Sequence, residues 1–321
     1  MRGNFGLDWG MREDTIVSVI IIFYNAERFL AEAVESVIHQ TERRWELVLA
    51  DDGSTDGSTA IAQEYAGKMS AKIRYVEHPG HQNRGMSPTR NLGILSSSGE
   101  WIALLDADDV WRPAKLTEQL QMLAAHPEAG LLYGSPLYWF SWSKELSRFK
   151  DYRPGVSIAS ESVAYPPELL LRNYPLGGGP APCPSDLIVK RSLVERVGGF
   201  EESFAGPYQM YEDQAFLAKV YLTTPVFVSG RCWTWYRQHR DSFSRVILDS
   251  GQYRTVRRFF LEYLEHYLHA EGIDQREIQR AMDKAWWPYR HPRLASATQL
   301  YRRARRQLQS FLTTKRETIS S

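Results

Sequence analysis

The tetrapeptide Asp106-Ala107-Asp108-Asp109 places carboxylates directly after the apolar run at 101–105 (WIALL). Acids spaced in this way at a strand end suit a hard divalent cation, Mg2+ or Mn2+. Such an ion takes one or two protein carboxylates and completes its shell with substrate phosphates. A solvated acidic turn is the bland reading, and the apolar strand in front of it counts against that. A second cluster, Asp51-Asp52-Gly53-Ser54-Thr55-Asp56-Gly57, follows another apolar run at 45–50 (WELVLA). Asp52, Ser54, Asp56 and Gly57 match positions 1, 3, 5 and 6 of an EF-hand loop, but position 12 is Gln63, which has no bidentate carboxylate. A strand also precedes the loop where a helix belongs, so calcium is rejected. Asp56 or Ser58 reads as a cap for the next helix, and Asp52 as an acceptor for a ligand N–H.

Other side chains could complete such a site. Arg90 is a candidate for holding phosphate, with a solvent-facing arginine as its plainer reading. Glu212-Asp213 opens a helical segment, where acids commonly complement the helix dipole. The functional alternative is a general base that removes a proton from an attacking hydroxyl. His239, in Tyr236-Arg237-Gln238-His239, is either exposed or a further ligand of metal or phosphate. Trp139, Phe140 and Trp142 offer aromatic faces for sugars, or for core packing. The chain carries no G-x-x-x-x-G-K-[ST] phosphate loop, no G-x-G-x-x-G after a strand and no G-x-S-x-G elbow. Gly177-Gly178-Gly179 reads as a flexible loop that could lie over the site as a lid.

Strands and helices must alternate to bring these groups together. Val17–Phe23 (VSVIIIF) is continuous enough to be a strand buried on both faces. Leu30, Val34, Val37 and Ile38 then recur at helical spacing, with Asn25 as N-cap. Strands at 45–50, about 73–76 and 101–105 are separated by helices at about 56–68 and from Ser87-Pro88, read as N-cap and first helical residue. Another helix carries Leu116, Leu120 and Leu123. This alternation predicts an α/β fold with a mostly parallel sheet, whose ligands bind beyond the carboxyl ends of the strands. Both acidic clusters sit at such ends. After 130, strands at 131–133, 187–189, 226–228 and 232–236 and helices at 193–197 and 212–222 are expected, with a helical stretch from about 253.

Composition excludes several classes. The chain has 321 residues, 43% apolar and 24% charged, as a globular protein does. Lys plus Arg (39) balance Asp plus Glu (38), so the overall charge gives no reason to expect a nucleic-acid partner. Cys183 and Cys232 are too few for a disulfide framework, and a reduced chain is expected. The longest apolar run, at 19–24, falls far short of the roughly 20 residues that span a bilayer, and the first fifteen residues lack a signal-peptide core. The expected location is the cytoplasm or the cytosolic face of a membrane.

Seven segments in order carry a resemblance: VSVIIIFYNAERFLAEAVESVIHQT, WELVLADDGSTDGS, NRGMSPTRNLGI, GEWIALLDADD, GGFEESF, MYEDQAFLAKVY and YRQHRDSFS. Together, over about 15–245, they resemble family 2 of the nucleotide-sugar glycosyltransferases. The resemblance implies the GT-A fold, with a catalytic domain at 1–245. A Rossmann-like nucleotide-binding half would occupy about 15–130 and an acceptor half about 131–245. It implies inverting transfer of a sugar from a nucleoside diphosphate, with a UDP-sugar favoured, to a hydroxyl of a glycan or lipid-linked acceptor, and Mn2+ or Mg2+ as cofactor. By position, Tyr24 would flank the base, Asp52 accept its N–H, Arg90 help hold the nucleotide and Asp106 bind the ribose. Asp108 would ligate the metal, with His239 completing the metal or diphosphate site. Asp213 would be the base, and Glu212 would contact donor or acceptor hydroxyls. Ile22-Phe23 and Pro88-Thr89 depart from the family pattern at the nucleotide pocket, which leaves the base open. The rivals are a sugar-nucleotide nucleotidylyltransferase and a non-catalytic homologue that binds nucleotide sugars or glycans.

The extension at 246–321 reads as helical and basic. Residues 281–316 carry nine Lys or Arg against one acid, Asp283. Leu294, Ala297, Leu300, Tyr301, Ala304, Leu308, Phe311 and Leu312 recur at helical spacing. The segment at 293–316 therefore either touches an anionic membrane surface or packs on the catalytic domain.

Overall fold

The computed structural model describes residues 15–146 and 148–295. Its first half runs β1 (Val17–Phe23), α1 (Leu30–Ile38), β2 (Trp45–Asp51), α2 (Ser58–Lys68), β3 (Ile73–Glu77), α3 (Met86–Leu95) and β4 (Trp101–Asp106). All seven residues of β1 are buried, the reason its sequence shows no polar alternation. Ser18, the one polar residue in it, donates to Glu46 Oε1 of the neighbouring β2 at 2.8 Å. α1 buries Leu30, Ala33, Val34 and Val37, a single stripe of the helix.

The strands lie in the order β3-β2-β1-β4, all parallel. The order reverses at β1, so the crevice beyond β1 and β4 is the switch point where open α/β sheets take ligands. Pairing sets Phe23 opposite Asp51 and Ile22 opposite Asp106. The two acidic clusters thus leave the sheet on either side of one strand.

The second half comprises β5 (Val110–Trp111), α4 (Lys115–Ala125), β6 (Leu131–Tyr133), β7 (Leu137–Trp139), β8 (Ser162–Ala164), α5 (Glu168–Arg172), β9 (Ile188–Lys190), α6 (Arg191–Arg196), α7 (Glu212–Thr223), β10 (Val226–Val228), β11 (Thr234–Arg237) and α8 (Phe243–Asp249). The large sheet extends as β4-β9-β6-β10-β8, with β9 antiparallel to both β4 and β6. A small sheet, β5-β11-β7, stands apart from it. The α/β architecture with a mostly parallel sheet is the one expected.

Local expectations fail at four places. Asn25 does not cap α1, which begins at Leu30; it adopts φ +51° and its Oδ1 accepts the Thr55 N–H at 2.7 Å. Ser87 is not the cap of α3 either. Gly85, at φ +94°, holds that position, and Pro88 falls within the first turn, where a missing N–H leaves no helical bond unmade. The Gly177–Gly179 stretch is tied back to the end of α5. Its Gly177 and Gly179 N–H groups bond back to Asn173 and Arg172 carbonyls, and a Cβ on Gly177 would lie 2.1 Å from the Arg172 oxygen. The last strand opens at Thr234 and not at Cys232.

The first compact unit runs to Phe260 and the second starts at Leu261, beyond the boundary at 245 that the motif order implies. The reason is α9 (Tyr253–Ala270), whose opening turns belong to the first unit. Tyr253 bonds Tyr174 through the hydroxyls at 2.9 Å, and Phe260 stacks on Tyr211 at 5.1 Å. In the second unit, Leu261, Leu264 and Leu268 are buried, as are Ile278, Met282, Ala285 and Trp286 of α10 (Arg276–Arg290). The basic segment lies outside the described residues from 296 onward. No described helix is long and apolar enough to cross a membrane.

Candidate active site

A cavity of about 610 Å3 opens at the switch point. Its lining includes Tyr24, Asp52, Arg90, Asp106, Asp108, Glu212, Asp213, Tyr236 and His239. Carboxylates from the ends of β2 and β4 and the start of α7 therefore share one space.

β4 ends at Asp106, and a tight turn follows, with the Asp109 N–H on the Asp106 carbonyl at 3.0 Å. That turn buries Asp109, which accepts the Arg237 N–H at 2.8 Å and the Ser185 hydroxyl. Burial, with Asp108 and Asp106 alongside, pushes the Asp109 carboxyl well above the usual carboxylate range. Asp108 is left facing the cavity. His239 Nε2 lies 2.8 Å from Asp108 Oδ2, although 131 positions separate the two residues. The carboxylate oxygen is of the kind that Mn2+ and Mg2+ take, and the imidazole nitrogen beside it suits a transition metal such as Mn2+ better than Mg2+. Among the described residues no group of three or more His, Cys, Asp or Glu could hold an ion by itself. A cation here would take the rest of its shell from a bound ligand.

Arg90 is buried, not solvent-facing. Its Nε donates to Glu212 Oε1 at 3.0 Å and its Nη2 to Asp106 Oδ1 at 2.8 Å, so one guanidinium ties α3 to α7 and β4. Burial opposes its charge, but Glu212 and Asp106 outweigh that and raise its pKa. Burial also raises the acids. The Asp106 carboxyl rises against the pull of Arg90. Glu212 reaches about 8 and Asp213 about 6, burial being the largest cause for each. Asp213 thus titrates near the range a general base needs. Three buried atoms of cavity residues have no hydrogen-bond partner among the described residues: Arg90 Nη1, Glu212 Oε2 and His239 Nδ1. Unmade bonds of this kind cost about 1–3 kcal/mol each.

Two expected contributors sit differently. Asp52 lines the cavity, but its carboxylate is already engaged: Oδ1 accepts the N–H groups of Arg84 and Gly85 and the Thr89 hydroxyl, at 2.7, 3.0 and 2.9 Å. Gly53, at φ +77°, makes this possible, because a Cβ there would meet Asn83 N at 2.7 Å. Trp139 and Trp142 are not among the residues lining the cavity. With Phe29 they box the Arg237 guanidinium, at 4.6, 4.9 and 4.9 Å from the ring centres. Tyr24 stands half-exposed at the cavity wall.

Sequence reasoning missed Arg237. It donates to the Asp108 carbonyl at 2.6 Å and to Glu32 of α1, so it holds the end of β11, two residues before His239, against the acidic turn. The aromatic stretch at 139–142 was a usable signal, since stacked rings often enclose a guanidinium. What was not readable was the pairing of Arg237 opposite Trp139.

Comparison with known proteins agrees with this fold. The model of glycosyl transferase family 2 matches residues 18–198. The glycosyltransferase GlyG of Streptococcus pneumoniae is 24% identical over 265 residues, 81% of this chain and 82% of GlyG. The putative glycosyltransferase EpsE of Bacillus subtilis is 39% identical over 110 residues, 34% of this chain, and the match spans only 39% of EpsE. Among solved structures, S. aureus TarS 1–349 in complex with UDP aligns with a TM-score of 0.60 at 20% identity, covering 84% of this chain and 69% of that one. The mannosyltransferase PcManGT from Pyrobaculum calidifontis, in complex with GDP-Man and Mn2+, aligns with a TM-score of 0.55 at 18% identity, covering 88% and 73%. The fold is the GT-A type, and with more than half its length matched by the family model, this chain is a member of glycosyltransferase family 2.

Proposed function

We propose that this chain transfers a sugar, with inversion, from a nucleoside-diphosphate sugar to a hydroxyl of a glycan or lipid-linked acceptor in polysaccharide synthesis, and that a UDP-sugar is the favoured donor. The observation that carries the reading is the meeting of the Asp108–His239 pair and Asp213 in one cavity. Tyr24 flanks the base. Asp52 fixes the loop at Arg84 and Gly85 that shapes the nucleotide pocket, and its Oδ2 keeps acceptor capacity for a base N–H. Asp106 binds the ribose while Arg90 holds it in place. Asp108 and His239 would hold Mn2+ or Mg2+, which neutralises charge developing on the diphosphate as the sugar departs.

Asp213 takes the proton of the acceptor hydroxyl as its oxygen attacks the anomeric carbon. The electron pair of the sugar–phosphate bond leaves with the diphosphate, and attack from the opposite face inverts the carbon. Glu212, held by Arg90, keeps Oε2 available for a donor or acceptor hydroxyl. The relatives support the donor class, since TarS structures contain UDP or UDP-GlcNAc and PcManGT contains GDP-Man with Mn2+.

A thermal-shift series with UDP, dTDP and GDP, each with and without Mn2+, tests the reading, because a ligand bound only by the folded state raises its melting temperature. UDP is expected to stabilise most, and only with Mn2+. A chain that none of the three stabilises is not a nucleotide-sugar enzyme of this kind.

A further inference from the structure

The small sheet offers a surface that the catalytic cavity does not use. Tyr236 of β11 lines the cavity, and its ring meets Tyr138 of β7 edge-on, with centroids 5.1 Å apart. Outward from there the rings continue without a break. Tyr138 stacks on Tyr152 at 5.0 Å, Tyr152 lies parallel to Phe140 at 6.4 Å, and Phe140 faces Phe149 at 5.4 Å. The outer members are open to solvent: Tyr152 is 51% and Phe149 44% exposed. Exposed aromatics are ordinarily scattered, and a contiguous row marks a surface that binds something.

This row is preorganised. Tyr138 and Tyr152 pair across an antiparallel bridge. Asp151 closes the segment by accepting the N–H groups of Phe140 and Ser141, at 2.7 and 2.9 Å, and the Ser141 hydroxyl at 2.6 Å. The chain therefore holds its rings out before any ligand arrives, which lowers the ordering cost of binding.

We infer that this aromatic row is the acceptor track, on which a glycan chain stacks the apolar faces of its sugar rings while its terminal hydroxyl reaches Asp213. A glycan is favoured over other occupants because the row is continuous with the cavity wall through Tyr236. The molecule that fills it must extend from the position where the accepting hydroxyl sits. Phenol and phenyl faces suit the C–H faces of pyranoses, while the phenol hydroxyls at Tyr138 and Tyr152 can bond ring hydroxyls. The inference rests on the glycosyltransferase reading above and adds to it the place and chemical class of the acceptor.

The test is binding of cellotetraose, chitotetraose, maltotetraose and mannotetraose to the full chain, followed by tyrosine and tryptophan fluorescence. Binding of UDP, dTDP and GDP with Mn2+ is read on the same samples. At least one tetrasaccharide is expected to bind, and the double substitution Phe149→Ala with Tyr152→Ala is expected to weaken it at least tenfold. Tyr152→Phe keeps the ring and is expected to bind within about threefold of the natural chain. The substituted side chains are solvent-exposed and lie outside the cavity, so nucleotide binding checks the fold and the catalytic cavity separately. If a nucleotide binds and no tetrasaccharide does, or if the double substitution binds sugars as tightly as the natural chain, the track is refuted and the transferase reading stands. If none of UDP, dTDP and GDP binds, the transferase reading falls, and the track falls with it.

Discussion

Two acidic clusters end β2 and β4, the strands on either side of β1, yet the fold treats them oppositely. At the end of β2, Asp51 accepts the Ser54 N–H and the Thr59 and Tyr75 hydroxyls, and Asp52 takes the Arg84 and Gly85 N–H groups. Their partners are uncharged groups of nearby loops, and their task is to build the wall. At the end of β4, Asp106 and Asp108 face ionisable side chains instead, Arg90 of α3 and His239 from beyond β11. The Asp108–His239 contact can be exchanged for a ligand, and Arg90 holds Asp106 beside it. A carboxylate that several backbone N–H groups hold is part of the architecture, and one that faces a single ionisable partner is available for chemistry.

The sharpest break of this comparison is Asp213→Asn. Losing a general base is expected to lower the transfer rate about 10²–10⁴-fold, measured as release of nucleoside diphosphate. The same change is expected to raise the melting temperature by a few degrees at pH 7. Folding lifts the Asp213 pKa to about 6, so the folded state binds the proton more tightly than the unfolded chain does. Its contribution to stability is full below the ordinary carboxylate pKa and is lost as pH rises toward 6. The gap between the variant and the natural chain therefore closes again near pH 4. A variant that is less stable at pH 7 contradicts the assignment of a burial cost to this residue.

Asp108→Ala comes next. It is expected to abolish Mn2+-dependent stabilisation by UDP while leaving the melting temperature of the free protein within about 2 °C. Asp52→Ala sharpens the contrast in the other direction. It strands two N–H groups and a hydroxyl and is expected to cost about 1–3 kcal/mol in urea unfolding. If the Asp108 change destabilises the free protein more than the Asp52 change, the division into wall and working acids is wrong. The smallest expected effect is the acid limb of the pH–rate profile, with half of the activity lost near pH 6 as Asp213 takes up its proton.

Much of the wall was legible from residues alone. The run at Val17–Phe23, polar only at Ser18, announces a strand buried on both faces, and the acids that follow the strands at 45–50 and 101–105 must fall on the binding rim. Helix starts were less legible: Asn25 has the chemistry of a cap, but its side chain is claimed by Thr55 across the rim. The tryptophans at 139 and 142 were legible as a cluster and not as a cage, because the guanidinium they enclose lies almost a hundred positions away.

Sequence by itself determined the order of strands and helices from β1 to β4, the location of both acid clusters at the sheet rim, and the family. Each follows from local periodicity or from the order of short motifs. Tertiary structure alone decided which carboxylate is bound up and which is open, that His239 faces Asp108, and that Arg90 is sealed between two acids. Those outcomes depend on desolvation and on pairing across 16 to 131 positions, and neither quantity is written in any short stretch of chain.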